Sequence, residues 1–269
     1  MKTYQRVLTI AGSDSGGGAG IQADIKTISA CGCYAASAVT AVTVQNTVGV
    51  QAVFPVDVPI ITGQICAVLD DIGADAIKIG MLHSQEVVCA VAETLKRYQV
   101  RNIVLDPVMV ATSGHRLIEQ EAVDALSQVL APIACVITPN IPEAEILLGG
   151  KALSHQDQLP DAAEQLAQQM GVSVLLKAGH LTEEELVDIF YDHETGTLYR
   201  LPSVRIHTAN THGTGCTLSS AFAAMLAKNM PLPQAAAAAK DYINEAIIAG
   251  ARYQIGNGHG PVDHFFRFR

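Results

Sequence analysis

Short apolar runs separated by helical patterns recur along this chain of 269 residues, and this alternation constrains the fold more than any other feature. A continuous run rich in valine and isoleucine is typical of a strand buried on both faces of a parallel sheet. The segments between the runs have the apolar spacing of helices, and several end at glycine. Repeated strand and helix predict right-handed βαβ units. The predicted strands are 7–12, 76–81, 102–109, 135–140 and 173–179, and the helices between them are 20–32, 58–73, 84–100, 119–130 and 161–171.

The last third of the chain follows a different pattern. In residues 187–206, apolar and polar residues alternate on both sides of the turn residues ETG. This pattern predicts an antiparallel hairpin at the edge of the sheet. Two helices are expected after it, at 215–229 and 231–251, the second carrying an alanine run that favours close helix packing. The sequence shows no linker and no long repeat, so we predict one domain over residues 1–269.

Composition and charge exclude several classes of partner. A formal net charge of -9 without any block of lysine and arginine argues against nucleic acid and against an anionic membrane surface. No run approaches the ~18 apolar residues of a spanning helix, and the first apolar stretch meets Asp14 too soon for a signal peptide. The six cysteines are scattered and do not resemble a disulfide framework. We therefore expect a reduced, cytoplasmic enzyme or binding protein.

Polar and glycine-rich residues follow the predicted strands. In open α/β folds ligands bind beyond the carboxyl ends of parallel strands, so these residues are expected to meet at one edge of the sheet. They are GSDSGGGAG (12–20), QNT (45–47) near a second strand, Met81, Asp106, TPNIPEAE (138–145) and KAGH (177–180).

The segment THGTGC (211–216) runs directly into a helical pattern. Two glycines at a helix start leave backbone N–H groups free to converge on an anion, and the helix dipole adds a favourable potential. A simple tight turn with Cys216 as a small buried residue would explain the same letters. The nucleotide motifs GxxxxGK[ST] and GxGxxG are both missing, so neither a P-loop nor a Rossmann site is predicted.

Eight motifs together resemble a known family. Any one of them is weak, but all eight occur in order over the whole chain and match the hydroxymethylpyrimidine/phosphomethylpyrimidine kinases of thiamine biosynthesis. The resemblance implies a ribokinase-like three-layer α/β/α fold, with a mostly parallel central sheet and an antiparallel edge hairpin. It also implies a homodimer that uses ATP and Mg²⁺ to phosphorylate a hydroxymethylpyrimidine and then its monophosphate. The motifs are residues 11–27, QNT, KIGM (78–81), LDPVM (105–109), TPNIPEAE, KAGH, THGTGC and GNGHGP (256–261).

By this resemblance, the Gly213, Thr214 and Gly215 turn is the anion hole and Cys216 the catalytic base. Sugar kinases of the same superfamily have an aspartate at that position. From its place at a helix start we expect the pKa of the Cys216 thiol to lie below the free value of ~8.5. A weak base suffices when the hydroxyl proton leaves late in a loose transition state.

The resemblance further implies the groups that hold MgATP. Asp106 and Glu143 would bind magnesium through waters, and four residues would contact the nucleotide. Each has a structural alternative, which is turn chemistry for Asp106 and Asn140, a first-turn helix acid for Glu143, a solvated strand-end charge for Lys177 and an ordinary structural donor for each histidine. The implied nucleotide-binding residues are Lys177, Asn140, His180 and His212.

For the substrate, the resemblance points to Gln45. Its amide has the donors and the acceptor that pair with the ring nitrogen and exocyclic amine of an aminopyrimidine. Pyridoxal kinases of the same branch usually lack QNT, so this motif favours the pyrimidine. The remaining implied substrate positions are Gly12, Ala19, Asp24, Met81 and Val108, of which the last two have core packing as an alternative.

Three other functions remain to be weighed. A cysteine hydrolase with Cys216 as nucleophile and His212 as base fits the spacing but leaves Asp106, Glu143 and Lys177 without a role. A binding module without catalysis is a second alternative. A pyridoxal or sugar kinase of the same superfamily is the third. Two small departures from the family pattern, SGGGAG at 15–20 and the alanine of KAGH, leave the interpretation unchanged, although Ala178 is expected to tighten the phosphate loop slightly.

Overall fold

One nine-stranded sheet forms the centre of the protein. The computed structural model describes residues 3–109 and 118–269. Within them the strand order is β3-β2-β1-β4-β5-β6-β7-β8-β9. Strands β2, β1, β4, β5, β6 and β7 are parallel, whereas β3, β8 and β9 run antiparallel to their neighbours. The strands are β1 (Arg6–Ser13), β2 (Tyr34–Gln45), β3 (Val50–Pro55), β4 (Ala76–Ile79), β5 (Ile103–Leu105), β6 (Val136–Ile137), β7 (Ser173–Leu176), β8 (Glu185–Asp192) and β9 (Thr197–Val204).

Helices cover both faces of the sheet. Helices α2, α3, α4 and α6 pack with one hydrophobic core, and α1, α7 and α8 pack with the other. This arrangement confirms the predicted three-layer α/β/α fold. The helices are α1 (Gly20–Ala30), α2 (Val58–Asp71), α3 (Gln85–Tyr98), α4 (Gln120–Ala125, continued by a π-helical turn over Leu126–Leu130), α5 (Ile141–Leu147), α6 (Leu159–Met170), α7 (Thr214–Ala227) and α8 (Leu232–Gly250).

The strand residues alternate between the two cores, as the pleat of a strand requires. In β1, Leu8 faces the core beneath α2 and α3, whereas Val7 faces the core beneath α1 and α7. In β4, Ile77 and Ile79 point to the first core. Because both faces are covered, the strands read as continuous apolar runs, and the predicted parallel sheet is confirmed.

Antiparallel strands occur at both edges of the sheet, although only one such edge was predicted. The predicted hairpin corresponds to β8 and β9, whose register pairs Asp192 with Thr197. The second antiparallel edge is β3, which pairs with β2. Most side chains of β3 are exposed, and its letters VQAVFP form neither a continuous apolar run nor a regular alternation.

The ends of the parallel strands bring the predicted site together. Strands β1, β2, β4, β5, β6 and β7 all end at the same edge, where the polar stretches follow them. Across the described part of the chain, no helix has both the length and the apolar character needed to span a membrane. All six cysteines are free thiols.

Candidate active site

A cavity of about 710 Å³ opens at the carboxyl edge of the sheet. It is lined by every predicted site residue except Asp24. Residues that lie up to about 200 positions apart in sequence therefore share one space. The lining residues that were predicted are Gly12, Ala19, Gln45, Met81, Asp106, Val108, Asn140, Glu143, Lys177, His180, His212, Gly213, Thr214, Gly215 and Cys216.

The turn before α7 has the geometry of an anion-binding helix start. Gly213 is the N-cap, with a φ of 79°, and its carbonyl accepts the Thr217 N–H at 2.9 Å. A side chain at Gly213 would overlap the carbonyl oxygen of Gly18, so the position admits only glycine. The amides of Gly215 and Cys216 lie in the first helical turn, where a helix has no acceptor of its own. They are therefore available to an anion in the cavity.

A buried ion pair lies beside this turn. Lys177 Nζ is 3.1 Å from Asp106 Oδ1, and the same carboxylate accepts hydrogen bonds from Thr138 (3.0 Å) and Ser219 (3.3 Å). Burial opposes the charge on Asp106, but Lys177 and Lys78 outweigh it and lower the pKa of that carboxyl. Burial likewise disfavours the charged form of Lys177, but Asp106 and Glu143 raise its pKa. Both groups are therefore ionised at neutral pH.

Glu143 and Asn140 form a capping box at the start of α5. Asn140 Oδ1 accepts the Glu143 N–H at 2.9 Å, and Glu143 Oε2 accepts the Asn140 N–H at 2.8 Å. Burial raises the pKa of Glu143 to about 7, with Lys177 opposing the rise and Asp106 adding to it. The carbonyl end of the Asn140 side chain is thus occupied in capping α5.

Cys216 lies at the predicted position, but its predicted acidity is wrong. The thiol faces the cavity from a deep position, and desolvation raises its pKa to about 11. Lys78 opposes this rise, whereas the carboxylates of Asp24 and Asp106 add to it. Loss of water and two nearby negative charges therefore outweigh the helix start, and the resting residue is a thiol.

Asp24 lies outside the cavity lining, beneath it, and this corrects its predicted contact with the substrate. Its carboxylate receives Lys78 Nζ at 2.9 Å on each oxygen, the Thr9 hydroxyl at 2.6 Å and the Ser220 hydroxyl at 2.7 Å. Sequence reasoning missed Lys78, although a single lysine within the apolar run AIKIGM was a signal for a buried, paired cation. Lys78 itself lines the cavity close to Cys216.

His212 lies near Gln45, at the other end of the turn from Lys177. Its Nε2 is 2.8 Å from Asp14 Oδ2 and 3.4 Å from Gln45 Nε2. The Asp14 carboxylate also accepts the backbone N–H groups of Gly18 and Ala19. Burial disfavours this charge, but the hydrogen bonds from His212 and from the backbone N–H groups of Ala19 and Gly16 lower the pKa of Asp14. The structure thus joins His212 to the glycine-rich loop, and Asp14 is a site residue that the sequence prediction quoted without assigning a role.

The KAGH loop is anchored by a second buried pair that was also missed. The Ala178 N–H donates to Asp188 Oδ1 at 2.8 Å, and Asp188 Oδ2 binds Lys240 Nζ at 2.7 Å. His180 lies at the rim of the cavity, where partial loss of water by the imidazole ring and then the charge of Lys177 lower its pKa. The anchored loop fixes the backbone next to Lys177.

Small and apolar residues form the part of the cavity wall near Gln45. A side chain at Gly12 would approach the Met81 methyl carbon to 2.7 Å, so glycine leaves room for the Met81 thioether. The Met81 carbonyl accepts the Thr40 hydroxyl at 2.8 Å, which holds the backbone in place. Met81, Val108 and Ala19 line the cavity with Gln45, as expected for a flat ring with one polar edge.

The hydrolase alternative does not fit this geometry. A nucleophilic cysteine needs a lowered pKa or a histidine within hydrogen-bond reach. The Cys216 pKa is raised, and the His212 Nε2 atom is directed to Asp14.

Comparison with known sequences identifies relatives over nearly the full chain. The family described as phosphomethylpyrimidine kinase matches residues 14–263. A hydroxymethylpyrimidine/phosphomethylpyrimidine kinase of Rhizobium meliloti (strain 1021) is 50% identical over 261 residues, covering 97% of this chain and 97% of that protein. Its namesake from Escherichia coli (strain K12) is 44% identical over 259 residues, covering 96% of each chain.

Solved structures of two related enzymes have the same fold. Phosphomethylpyrimidine kinase from Clostridium difficile 630 is 44% identical with a TM-score of 0.78, covering 90% of this chain and 99% of that one. Bacillus subtilis pyridoxal kinase, solved as an ADP complex, is 40% identical with a TM-score of 0.89, covering 97% of this chain and 98% of that one. The fold is ribokinase-like, and the chain belongs to the phosphomethylpyrimidine kinase family.

Proposed function

We propose that this protein is an ATP-dependent kinase that phosphorylates 4-amino-5-hydroxymethyl-2-methylpyrimidine and then its monophosphate, on the route to thiamine diphosphate. The observation that carries the proposal is one cavity that is lined both by Gln45 with apolar residues and by an anion-binding turn beside Lys177 and Asp106. Names of the relatives agree with it. The site contains both a place for the ring and a place for the moving phosphoryl group.

Gln45 is the residue that recognises the pyrimidine. Its amide pairs with the ring nitrogen and the exocyclic amine, since it has both donors and an acceptor. Met81 and Val108 pack on the ring. The hydroxymethyl group then points along the cavity toward Cys216 and the anion turn.

Phosphoryl transfer requires positioning and charge neutralisation more than covalent chemistry by the protein. The amides of Gly215 and Cys216 stabilise the transferred group, and Lys177 neutralises negative charge on the nucleotide phosphates. A side chain at Gly215 would lie 3.3 Å from Lys177 Nζ. The lysine and the turn therefore act on the same small volume.

Asp106 and Glu143 suit magnesium bound together with ATP. Among the residues that the structure describes, no group of three or more histidine, cysteine or acidic side chains could hold a metal alone. Mg²⁺ usually takes one or two carboxylates and completes its shell with water and substrate phosphates. Two buried carboxylates beside Lys177 match that donor set. When bound, the metal supplies charge neutralisation at the phosphates.

Cys216 receives the proton of the substrate hydroxyl in the first phosphorylation. With a pKa of about 11 the thiolate is scarce at neutral pH, and this fits a proton that leaves late, after the bond to phosphorus has begun to form. In the second phosphorylation the nucleophile is already an anionic phosphate oxygen. That step needs no base.

An ATP-consumption assay with four acceptors tests the proposal. Hydroxymethylpyrimidine, its monophosphate, pyridoxal and ribose are compared at equal concentration, with and without magnesium. We expect turnover of both pyrimidines, dependent on magnesium. Turnover of ribose alone, or none at all with either pyrimidine, would overturn the assignment.

Pyridoxal kinase activity is the second candidate. Pyridoxal kinase from Staphylococcus aureus, solved in complex with pyridoxal, is 32% identical with a TM-score of 0.90 and covers 100% of this chain and 96% of that one. The same assay decides between the two substrates. Preference for pyridoxal would assign a different role to Gln45.

We also propose a cytoplasmic homodimer. Free thiols at all six cysteines are compatible with a reducing compartment. Val42, Val44 and Phe54 expose apolar surface on the β2–β3 edge, where a second copy has room to pack. Sedimentation equilibrium is expected to give twice the mass of one chain, 28.4 kDa.

A further inference from the structure

We propose that the C-terminal segment Gly256–Pro261, here named the strap, is a positioning element that sets the distance between Gln45 and the anion turn and so contributes to selection of the pyrimidine. This inference rests on the proposed function. The segment was recognised as the motif GNGHGP, but no role in the site follows from its sequence.

The strap is tied to the QNT turn at its first end. The Gly258 N–H donates to the Thr47 hydroxyl at 3.2 Å, and the His259 N–H donates to the Thr47 carbonyl at 2.9 Å. Thr47 is two residues after Gln45. The strap, which is not part of the sheet, therefore holds the backbone of the QNT turn at the end of β2.

The strap is tied to the THGTGC turn at its second end. The His212 N–H donates to the Gly260 carbonyl at 3.0 Å, and His212 forms an isolated parallel bridge with Pro261. His212 directly precedes Gly213, the N-cap of α7. The six residues of the strap thus connect the QNT turn with the turn that begins α7.

The glycines of the strap are required by close approach. A side chain at Gly258 would overlap the Thr47 carbonyl oxygen, and one at Gly260 would overlap the Asn210 amide oxygen. Neither glycine has a positive φ, so the space and not the backbone conformation excludes a side chain. Gly256, with a φ of 72°, also lies against Thr47. The strap therefore contacts Thr47 and Asn210 along its length and not at a single residue.

The distance that the strap controls is visible in the site. Gln45 Nε2 lies 3.4 Å from His212 Nε2, which in turn lies 2.8 Å from Asp14 Oδ2. Thr47 and the His212 backbone are the two residues held by the strap. Movement of the QNT turn would rotate the Gln45 amide away from the ring edge that it pairs with, while Asp106 and Lys177, which follow β5 and β7, would stay in place.

The substitution G258A tests the proposal. We expect the KM for hydroxymethylpyrimidine to rise about tenfold or more, with the KM for ATP changed by less than twofold. G63A is the matched control, since Gly63 lies in α2 with open space around it; its constants should equal those of the wild type. Thermal unfolding establishes that the variants are folded, and T47V, which removes only the hydroxyl acceptor, provides a milder second variant with an expected rise of about threefold.

A double-mutant cycle separates positioning from a general structural effect. If the strap acts through Gln45, adding G258A or T47V to Q45A should raise the KM for hydroxymethylpyrimidine by less than twofold beyond Q45A alone. Fully additive losses, or an unchanged KM in folded G258A and T47V, would overturn the role of the strap. Absence of pyrimidine phosphorylation in the wild type would instead overturn the proposed function, so the two failures are distinguishable.

Discussion

Two buried ion pairs lie near Cys216, and they differ in what surrounds them. Lys78 and Asp24 are both 0% exposed, and Asp24 accepts two further hydroxyl hydrogen bonds from Thr9 and Ser220. Lys177 is 14% exposed toward the cavity, and it contacts Asp106 at 3.1 Å. The first pair has its hydrogen bonds satisfied within the protein. In the second pair, Lys177 can bind an anionic ligand in place of Asp106. Two similar ion pairs therefore differ in role: the first stabilises the fold and the second is available to bind a ligand.

The largest expected effect comes from breaking the Lys78–Asp24 pair, in which both side chains are fully buried. K78M leaves the Asp24 carboxylate buried without its cation, and the free energy of unfolding should fall by about 3–5 kcal/mol. Urea denaturation measures this change. The double variant K78M/D24N removes both charges and should recover at least half of the loss. Equal stability of K78M and the wild type would contradict the structural role of this pair.

Breaking the Lys177–Asp106 pair, which faces the cavity, should affect catalysis instead. K177M removes a cation that neutralises phosphate charge, and we expect kcat to fall by about 10²- to 10³-fold. The midpoint of urea denaturation should change much less than in K78M, because the Asp106 carboxylate keeps the nearby charge of Lys78 and the hydrogen bonds of Thr138 and Ser219. Steady-state kinetics of K177M and K78M, measured at the same folded fraction, test whether the two pairs differ in this way. If K177M lost as much stability as K78M but kept the kcat of the wild type, the assignment of the two pairs would be reversed.

Cys216 lies within the electrostatic reach of both pairs and sharpens the comparison. C216A removes the proposed base, so the first phosphorylation should slow by about 10²-fold. The second should change by less than threefold, because its nucleophile is already ionised. Single-turnover measurements with each pyrimidine separate the steps; equal losses in both would mean that the thiol has another role.

The same thiol should also produce a difference in pH dependence. Burial, opposed by Lys78, raises the pKa of Cys216 to about 11, so the thiolate fraction increases about tenfold per pH unit between pH 7 and 9. The first-step rate should rise with pH over that range in the wild type and lose this rise in C216A. A flat profile in the wild type would show that thiolate is not the base.

The sequence predicted the layers of the fold because each buried strand carries its own signal. It missed β3 because the letters VQAVFP form neither a continuous apolar run nor a regular alternation. It missed the Lys78–Asp24 pair because two residues 54 positions apart meet only after β4 and α1 have packed. The acidity of Cys216 was predicted in the wrong direction because local sequence shows the helix start but neither the desolvation nor the neighbouring carboxylates.

The members of the site were easier to predict than their contacts. Strand ends and the family resemblance indicated sixteen residues, of which all but Asp24 line the cavity. The pairing of His212 with Asp14, 198 positions away, depends on the approach of two glycine-rich segments at Gly18 and Gly213. Such an approach follows from tertiary packing and has no local pattern.

The most direct measurement compares kcat/KM for hydroxymethylpyrimidine and for pyridoxal in the wild type and in Q45A. If the Gln45 amide reads the aminopyrimidine, the wild type should favour hydroxymethylpyrimidine by at least about tenfold, and Q45A should lose about 1–3 kcal/mol of that discrimination, as expected when hydrogen bonds to the substrate are removed. A wild-type preference for pyridoxal, or an undiminished preference for the pyrimidine in Q45A, would contradict the assignment of this cavity.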